Sequence, residues 1–402
     1  STKDQSIGVL ISPNLSTEEQ YLLLNLCDQL DIKGIDYRPR QRDFSTDSAN
    51  DFIPHMNIKL SDVDAMRNIL ILGSDLRRET PILAHRLKKS ADNGASVHVI
   101  NSYESEYHFQ VDQQIIADEW VNDMGLVLKA AINLTKNSLP NNIADHLDTI
   151  GEPSSTHEAI AASMCQDKSL IIIGIEAYSD SQYQMIRSYA HILSTICQTN
   201  LCEISEGSNM IGASIHGVVN KQENSLNFSE IVHMKHDLLI MYGIEPEDTI
   251  YQAELIECME SAKDLVVFTP YANEHFDRNA DVIVPINTHY ENNGSMINIE
   301  LRNQSFINTL SLDVDQFTNI ELLMSLYQGM GIQSVSVDEI NDSVQKGIDI
   351  ITSTEGRISN IPENIKSIKA SKKEVRFNMY NVDNVLRRSK PLQKTKEVLG
   401  EI

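Results

Sequence analysis

The chain has 402 residues, 41% of them apolar, and a formal net charge of −24 at pH 7. That is enough apolar chain for two domains with buried cores, and the negative charge argues against a primary role on nucleic acid or anionic lipid. Apolar runs such as 170–173 are far shorter than the roughly 20 residues a membrane helix needs, and no signal peptide opens the chain, so direct membrane insertion is not expected. The charge is uneven: residues 357–402 hold 11 Lys and Arg against 5 Asp and Glu, a net +6 on a remainder of −30. A basic tail on an acidic body folds back onto that body or docks on an acidic neighbour.

Apolar residues 7–11 read as a strand, followed by Ser12, Pro13 and the capping box Ser16-x-x-Glu19, which starts a helix to about Leu30. Residues 68–72 form the next strand, with a turn at Gly73, Thr80 and Pro81 opening a helix, and Leu83, Leu87 and Ala91 at helical spacing. Gly94 ends that helix and residues 96–100 return to strand, a βαβ unit of about thirty residues. Residues 138–156, with Pro140, Gly151 and Pro153, read as a boundary. A second series comes next: a strand at 170–173, Gly174, a helix at about 181–197 opened by Ser179-x-x-Gln182, and strands at 237–241, 264–269 and 281–284. Continuous apolar strands separated by helices predict an α/β fold of Rossmann-like parallel sheets with helices on both faces. The division expected is 1–145, 146–312 and a helical segment with a basic tail at 313–402.

Chemical motifs stop short of completion. Gly73, Gly174 and Gly243 end strands without the three-glycine dinucleotide loop, and the acidic residues after them, such as Asp75, Glu176 and Glu245, would oppose a phosphate. Cys197-x4-Cys202 begins an iron–sulfur spacing, but position 205 is Ser205. His157-Glu158 begins a zinc motif that fails at Ala161, and His233 with His236 lacks a third ligand. The segment Gly212-Ala213-Ser214-Ile215-His216 fails as a nucleophile elbow at its last position. The cysteines Cys27, Cys165, Cys197, Cys202 and Cys258 are an odd, widely spaced set, which predicts reduced thiols. No catalytic, cofactor-binding or metal-ligating residue is assigned.

Two stretches are more specific: Ser12-Pro13 through Glu18-Glu19 to Ile35-Asp36-Tyr37-Arg38-Pro39-Arg40-Gln41-Arg42-Asp43-Phe44, and Ala280-Asp281 to Pro285 followed by Glu291-x2-Gly294-x3-Asn298-x-Glu300-x-Arg302-x-Gln304. Both resemble the molybdopterin oxidoreductase superfamily, and more closely the branch of it that serves in the peripheral arm of the proton-pumping NADH:quinone oxidoreductase, respiratory complex I. The segments 73–81 and 209–217 and the tail Tyr380-x2-Asp383-x2-Leu386-Arg387-Arg388-x2-Pro391-Leu392-Gln393 are similar to the same branch.

The resemblance implies a pair of Rossmann-like domains in which the opening segment 1–40 packs with the later sheet; the departures shape the rest of what it implies. In active relatives a Cys or selenocysteine bound to molybdenum follows the segment corresponding to 35–41; here that place holds Arg42, then Asp43. A guanidinium has no lone pair to offer a metal. Active relatives also carry a C-terminal barrel, for which the roughly ninety residues after Leu312 leave too little chain. The resemblance thus implies a cofactor-free scaffold portion of the peripheral arm, on the cytoplasmic side of the inner membrane and contacting the iron–sulfur and NADH-binding subunits. The [2Fe-2S] and [4Fe-4S] clusters belong to an N-terminal region that this chain, opening on Ser1, is expected to lack. The alternative is an active molybdopterin or tungstopterin oxidoreductase with a non-cysteine metal ligand, a hydroxyl or a carboxylate such as Asp43.

Overall fold

The computed structural model describes residues 6–45, 47, 53–137, 141–217, 225–310, 317–353, 378–396, 398 and 399. Two compact units are interleaved along the chain. The first takes residues 1–40, 206–353 and the tail from 378; the second takes 41–205.

The first unit opens with β1 (Ile7–Ile11), α1 (Thr17–Gln29) and β2 (Gly34–Asp36). The second then runs through β3 (Asn68–Leu72), α2 (Leu76–Glu79), α3 (Pro81–Asp92), β4 (Ser96–Asn101) and β5 (Gln113–Ile116). It continues with α4 (Trp120–Thr135), α5 (Asn141–Thr149), α6 (Ser155–Met164), β6 (Ser169–Ile173), α7 (Ile175–Tyr178), α8 (Tyr183–Cys197) and β7 (Asn200–Glu203). The first unit resumes with α9 (Met210–His216), α10 (Phe228–Val232), β8 (Leu238–Tyr242), α11 (Gln252–Ser261), β9 (Asp264–Thr269), α12 (Glu274–Asn279) and β10 (Val282–Pro285). A hairpin of β11 (Gly294–Ile297) and β12 (Asn303–Phe306), then α13 (Asn319–Met330), α14 (Val337–Ser353) and α15 (Asn384–Arg387), complete it.

Each unit is built on a five-stranded parallel sheet, in the order β10-β9-β8-β1-β2 in the first and β5-β4-β3-β6-β7 in the second. Val9 pairs with Ile35 on one side and Ile240 on the other; Ile71 lies between Val99 and Ile172. The runs Leu70–Leu72 and Leu170–Ile172 are completely buried, as expected of strands covered by helices on both faces. Strand order reverses at β1 and β8 in the first sheet and at β3 and β6 in the second. At such a reversal the connecting segments leave on opposite faces and open a crevice beyond the carboxyl ends of the strands.

The expected division at 145/146 is corrected. The second sheet runs across that point, and Gly151 and Pro153 lie between α5 and α6 of the same unit, not in a linker between units; Pro140 lies outside the described residues. Turn residues mark the end of a helix but carry no information on whether the next element joins the same sheet. The helix expected at 181 begins at Tyr183; Ser179 instead ends the short α7. The expectation of reduced cysteines is corrected too: Cys165, which ends α6, is disulfide-bonded to Cys197, the last residue of α8. Their 32-residue separation in sequence hid two helix ends that the fold brings together.

Candidate functional site

In the first unit the crevice at β1 and β8 lies where their carboxyl-terminal loops diverge, Ser12–Leu15 after β1 and Gly243–Asp248 after β8. The C-terminal tail fills it. The Glu245 carboxylate, 1% exposed, accepts both ends of the Arg388 guanidinium (3.0 and 2.7 Å) and one nitrogen of Arg387 (2.6 Å). Arg387 also reaches Asp248 at 2.9 Å and the carbonyl of Asn381 at 2.7 Å. Arg388 donates to the Ala272 carbonyl at 3.0 Å and lies 4.4 Å over the Tyr271 ring. Asn14 donates to Asp383, whose other oxygen caps α15.

Arg40, just beyond β2, joins this network from below. It pairs with Glu206 at 2.7 Å and donates to the Val382 carbonyl. Burial pushes the Glu206 carboxyl up to about 7 against the pull of Arg40, and Asp248 up to about 6 against that of Arg387. With the tail in place, a cavity of about 40 Å³ remains among Ser12, Glu19, Asn287, His289, Asn319 and Asp383. That admits a few waters, far below the several hundred Å³ of an ordinary ligand pocket.

The second family-like stretch packs against the start of α1. Gly294 approaches so closely that a Cβ there would lie 2.8 Å from Ser16 Cβ and 2.9 Å from Phe306. The Glu18 carboxylate accepts the Ser295 amide and hydroxyl at 2.9 and 2.8 Å, while fully buried Asn209 donates to Leu15 O and accepts from Ile297 N–H, both at 2.8 Å. Asn298 accepts the amides of Glu300 and Arg302 at 3.0 Å and so closes the hairpin turn. Every one of these contacts is internal; the stretch is a clamp between the hairpin and α1.

In the second unit the reversal at β3 and β6 is closed by backbone and carboxylates. A Cβ on Gly174 would lie 2.3 Å from both the Gly73 carbonyl oxygen and Ser74 Cβ, leaving no room between the two strand ends. Glu79 accepts the Ser74 hydroxyl (2.6 Å), the Asp75 amide (2.8 Å) and, at the start of α7, the Ile175 amide (3.3 Å). A phosphate in a nucleotide-binding α/β sheet would take that last amide. Glu176 accepts the Ser102 hydroxyl with one oxygen, and its other oxygen is buried without a partner. Burial pushes both Glu79 and Glu176 up to about 7.

At the place of the family's metal ligand, Arg42 is half-buried and draws down the Asp180 carboxyl against the burial that raises it. Asp43 is buried, with one oxygen accepting the Gln184 amide in the first turn of α8 (2.9 Å) and the other the Ser45 amide (3.1 Å). Its main-chain carbonyl is held by Gln41 at 2.6 Å. Both carboxylate oxygens serve backbone donors, which gives this side chain a structural role at the start of α8 and in the Ser45 turn. The free cysteines among the described residues are buried, and burial pushes Cys27 up to about 12 and Cys258 up to about 11, and raises Cys202 as well. No group of three or more His, Cys, Asp and Glu among the described residues is arranged to hold a metal ion.

The remaining candidates hold local hydrogen bonds. His157 closes the cap of α6 with Ser154 and reaches Asp123 at 3.2 Å. His233 bonds the Ser229 carbonyl, and His236 is held by Ser6 and the Ile231 carbonyl. Ser214 lies within α9 and pairs with the Tyr37 hydroxyl at 2.6 Å. Sequence reading missed a buried cluster after β7, in which Glu203 binds Arg187 at 2.7 Å and also His191. Burial alone would raise Glu203, but the Arg187 guanidinium, with hydrogen bonds from Arg187 and His191, holds it down to about 2.

The sequence matches the molybdopterin oxidoreductase family over residues 1–326. No match is found among curated proteins. Among solved structures it is similar to a chain of the formyltransferase/hydrolase complex of Methylorubrum extorquens in complex with methylofuran, with a TM-score of 0.56 and 11% identity, over 86% of this chain and 94% of that one. It is also similar to acetylene hydratase from Pelobacter acetylenicus, with a TM-score of 0.55 and 9% identity, over 82% of this chain and 56% of that one. At these identities the likeness concerns the fold, and this chain spans a little over half the length of the hydratase. Because the family match covers most of the sequence, the chain belongs to the molybdopterin oxidoreductase family.

Proposed function

We propose that this family member works without its own metal cofactor, as a scaffold portion of the peripheral arm of a NADH:quinone oxidoreductase, respiratory complex I. Electron transfer is then carried by [2Fe-2S] and [4Fe-4S] clusters outside these residues, and the partners are the iron–sulfur and NADH-binding subunits on the cytoplasmic side of the inner membrane. The observation that carries the reading is at 42–43. A guanidinium stands where the family has its metal-binding residue, and the adjacent carboxylate has both oxygens on backbone amides. The tail seated at β1 and β8 adds support, since it occupies the crevice where an α/β sheet ordinarily takes a ligand. So does the neighbour from the formyltransferase/hydrolase complex: a chain of this fold covered to 94% by this one, and part of an assembly.

The test is to express the chain with its native flanking sequence in its own host, purify it by a tag and measure metal, pterin and co-purifying subunits. Respiratory iron–sulfur and NADH-binding subunits should co-purify, and molybdenum and tungsten should stay far below one per chain. Stoichiometric molybdenum or tungsten with extractable pterin overturns the proposal and leaves the active oxidoreductase. Recovery of the chain free of respiratory subunits overturns the assignment to the peripheral arm.

A further inference from the structure

We infer that the crevice of the first unit is a recognition site for paired arginines, and that the chain's own tail is its resident ligand. The receptor is built from both sides. Glu245, 1% exposed, offers Arg388 the two-oxygen fork that matches a guanidinium edge, and Asp248 takes the neighbouring Arg387. The Tyr271 ring supplies the face on which Arg388 lies, and the Ala272 carbonyl a further acceptor. Lys could supply the charge but neither the fork nor the stacked plane.

A third carboxylate lies beside the arginine pair. Glu206, 1% exposed, uses one oxygen on Arg40, and the other is buried with no partner. The tail enters as a short ordered piece: Asp383 caps α15 and ties back to Asn14, and Gln393 holds the carbonyls of Tyr380 and Leu386. Between Ser353 at the end of α14 and Asn378 at the start of the seated piece lie 24 residues. The seated piece is thus joined to its receptor by chain, and everything that holds it there is contact. The ligand class is a peptide with two adjacent arginines, and the occupant in trans is the same segment of a second copy. Such recognition does not depend on whether the chain carries a cofactor.

The probe is a fluorescein-labelled peptide of residues 378–396, titrated by anisotropy against the full chain. The wild-type chain, already occupied, should bind it weakly. The R387A/R388A chain, whose own tail has lost its anchors, should bind it one to one and roughly tenfold or more tighter. The R388A chain, which keeps the Arg387 pair, covers the case in which the double variant does not fold. A peptide with both arginines replaced by alanine should lose binding, and one with two lysines should bind more weakly than the native peptide. Binding to a folded variant no tighter than to wild type overturns the inference, as does an alanine peptide that binds as well as the native one.

Discussion

Asp43 separates a structural carboxylate from a metal ligand, because the two roles predict opposite consequences of its removal. Its oxygens accept the Gln184 amide at 2.9 Å and the Ser45 amide at 3.1 Å, from a position 8% exposed. The first bond satisfies an otherwise orphan donor at the start of α8 and places a negative charge at that helix's positive end. In Asp43→Ala both amides are left without this acceptor in a buried place, and the loss is comparable to removing a helix cap, about 1–2 kcal/mol, with a further contribution from the Ser45 turn. Asp43→Asn keeps one oxygen for one amide and turns an NH2 toward the other, so it should lose about half as much. Urea unfolding followed by far-UV circular dichroism measures this; two units allow two transitions, and the effect belongs in the one for residues 41–205. A ligand role predicts instead a fall in bound molybdenum or tungsten with little change in the metal-free chain. If Asp43→Ala leaves the midpoint unmoved, the capping argument fails and the carboxylate is free for another use.

Three other expectations concern the second unit. Gly174→Ala places a methyl 2.3 Å from the Gly73 carbonyl, backbone that must itself move, so loss of soluble protein or a drop of several degrees in Tm is expected; a wild-type melt would refute the close packing of β3 and β6. Reduction of Cys165–Cys197 opens a 32-residue loop, for which chain entropy gives roughly 3–4 kcal/mol of lost stability. Calorimetry with and without dithiothreitol should show it, and alkylation under non-reducing conditions should spare these two thiols. Glu79 and Glu176 have folded pKa values near 7, above the unfolded value of 4.5. Between those values the native state holds more protons than the unfolded one, so their contribution is fully present below pH 4.5 and is lost as pH rises through 7. Urea midpoints for this unit should therefore fall between pH 5.5 and 8, and Glu176→Gln, which removes the buried oxygen without a partner, should flatten the profile; a profile unchanged by the substitution would show that burial does not act on Glu176 as argued.

The strands that organise both sheets were legible because parallel strands covered on both faces are apolar through their middle, as in 69–72, 170–173 and 265–268. The start of α1 was legible for a local reason: the Ser16–Glu19 box is formed by four consecutive residues. β5 was not, since Gln113 and Gln114 belong to a strand at a sheet edge where alternate side chains face water. The unit boundaries were hidden because β1 and β2 are completed by strands more than 200 residues later, a pairing that no local pattern encodes. At the candidate site the sign was legible and the partner was not. Glu245 reads correctly as hostile to phosphate, but its positive partners lie some 140 residues further on, among eleven basic residues with nothing to single out Arg387 and Arg388.

The two crevices obey one physical rule by different means. A reversal of strand order leaves loops whose amides and carboxylates point into a gap, and buried polar groups without partners cost free energy whether or not a ligand is needed. In the second unit the gap is narrow enough to be closed by glycine contact and by Glu79, whose carboxylate takes a helix-terminal amide a phosphate would otherwise hold. In the first unit the gap is lined by Glu245 and Asp248, which take a cationic occupant, and the chain supplies one from its own end. Loss of a ligand from such a fold therefore cannot be a simple deletion of metal-binding residues. A member that works without a cofactor, as proposed for this chain, needs replacement groups of complementary charge, the part a glutamate can play at one reversal and an arginine pair at the other.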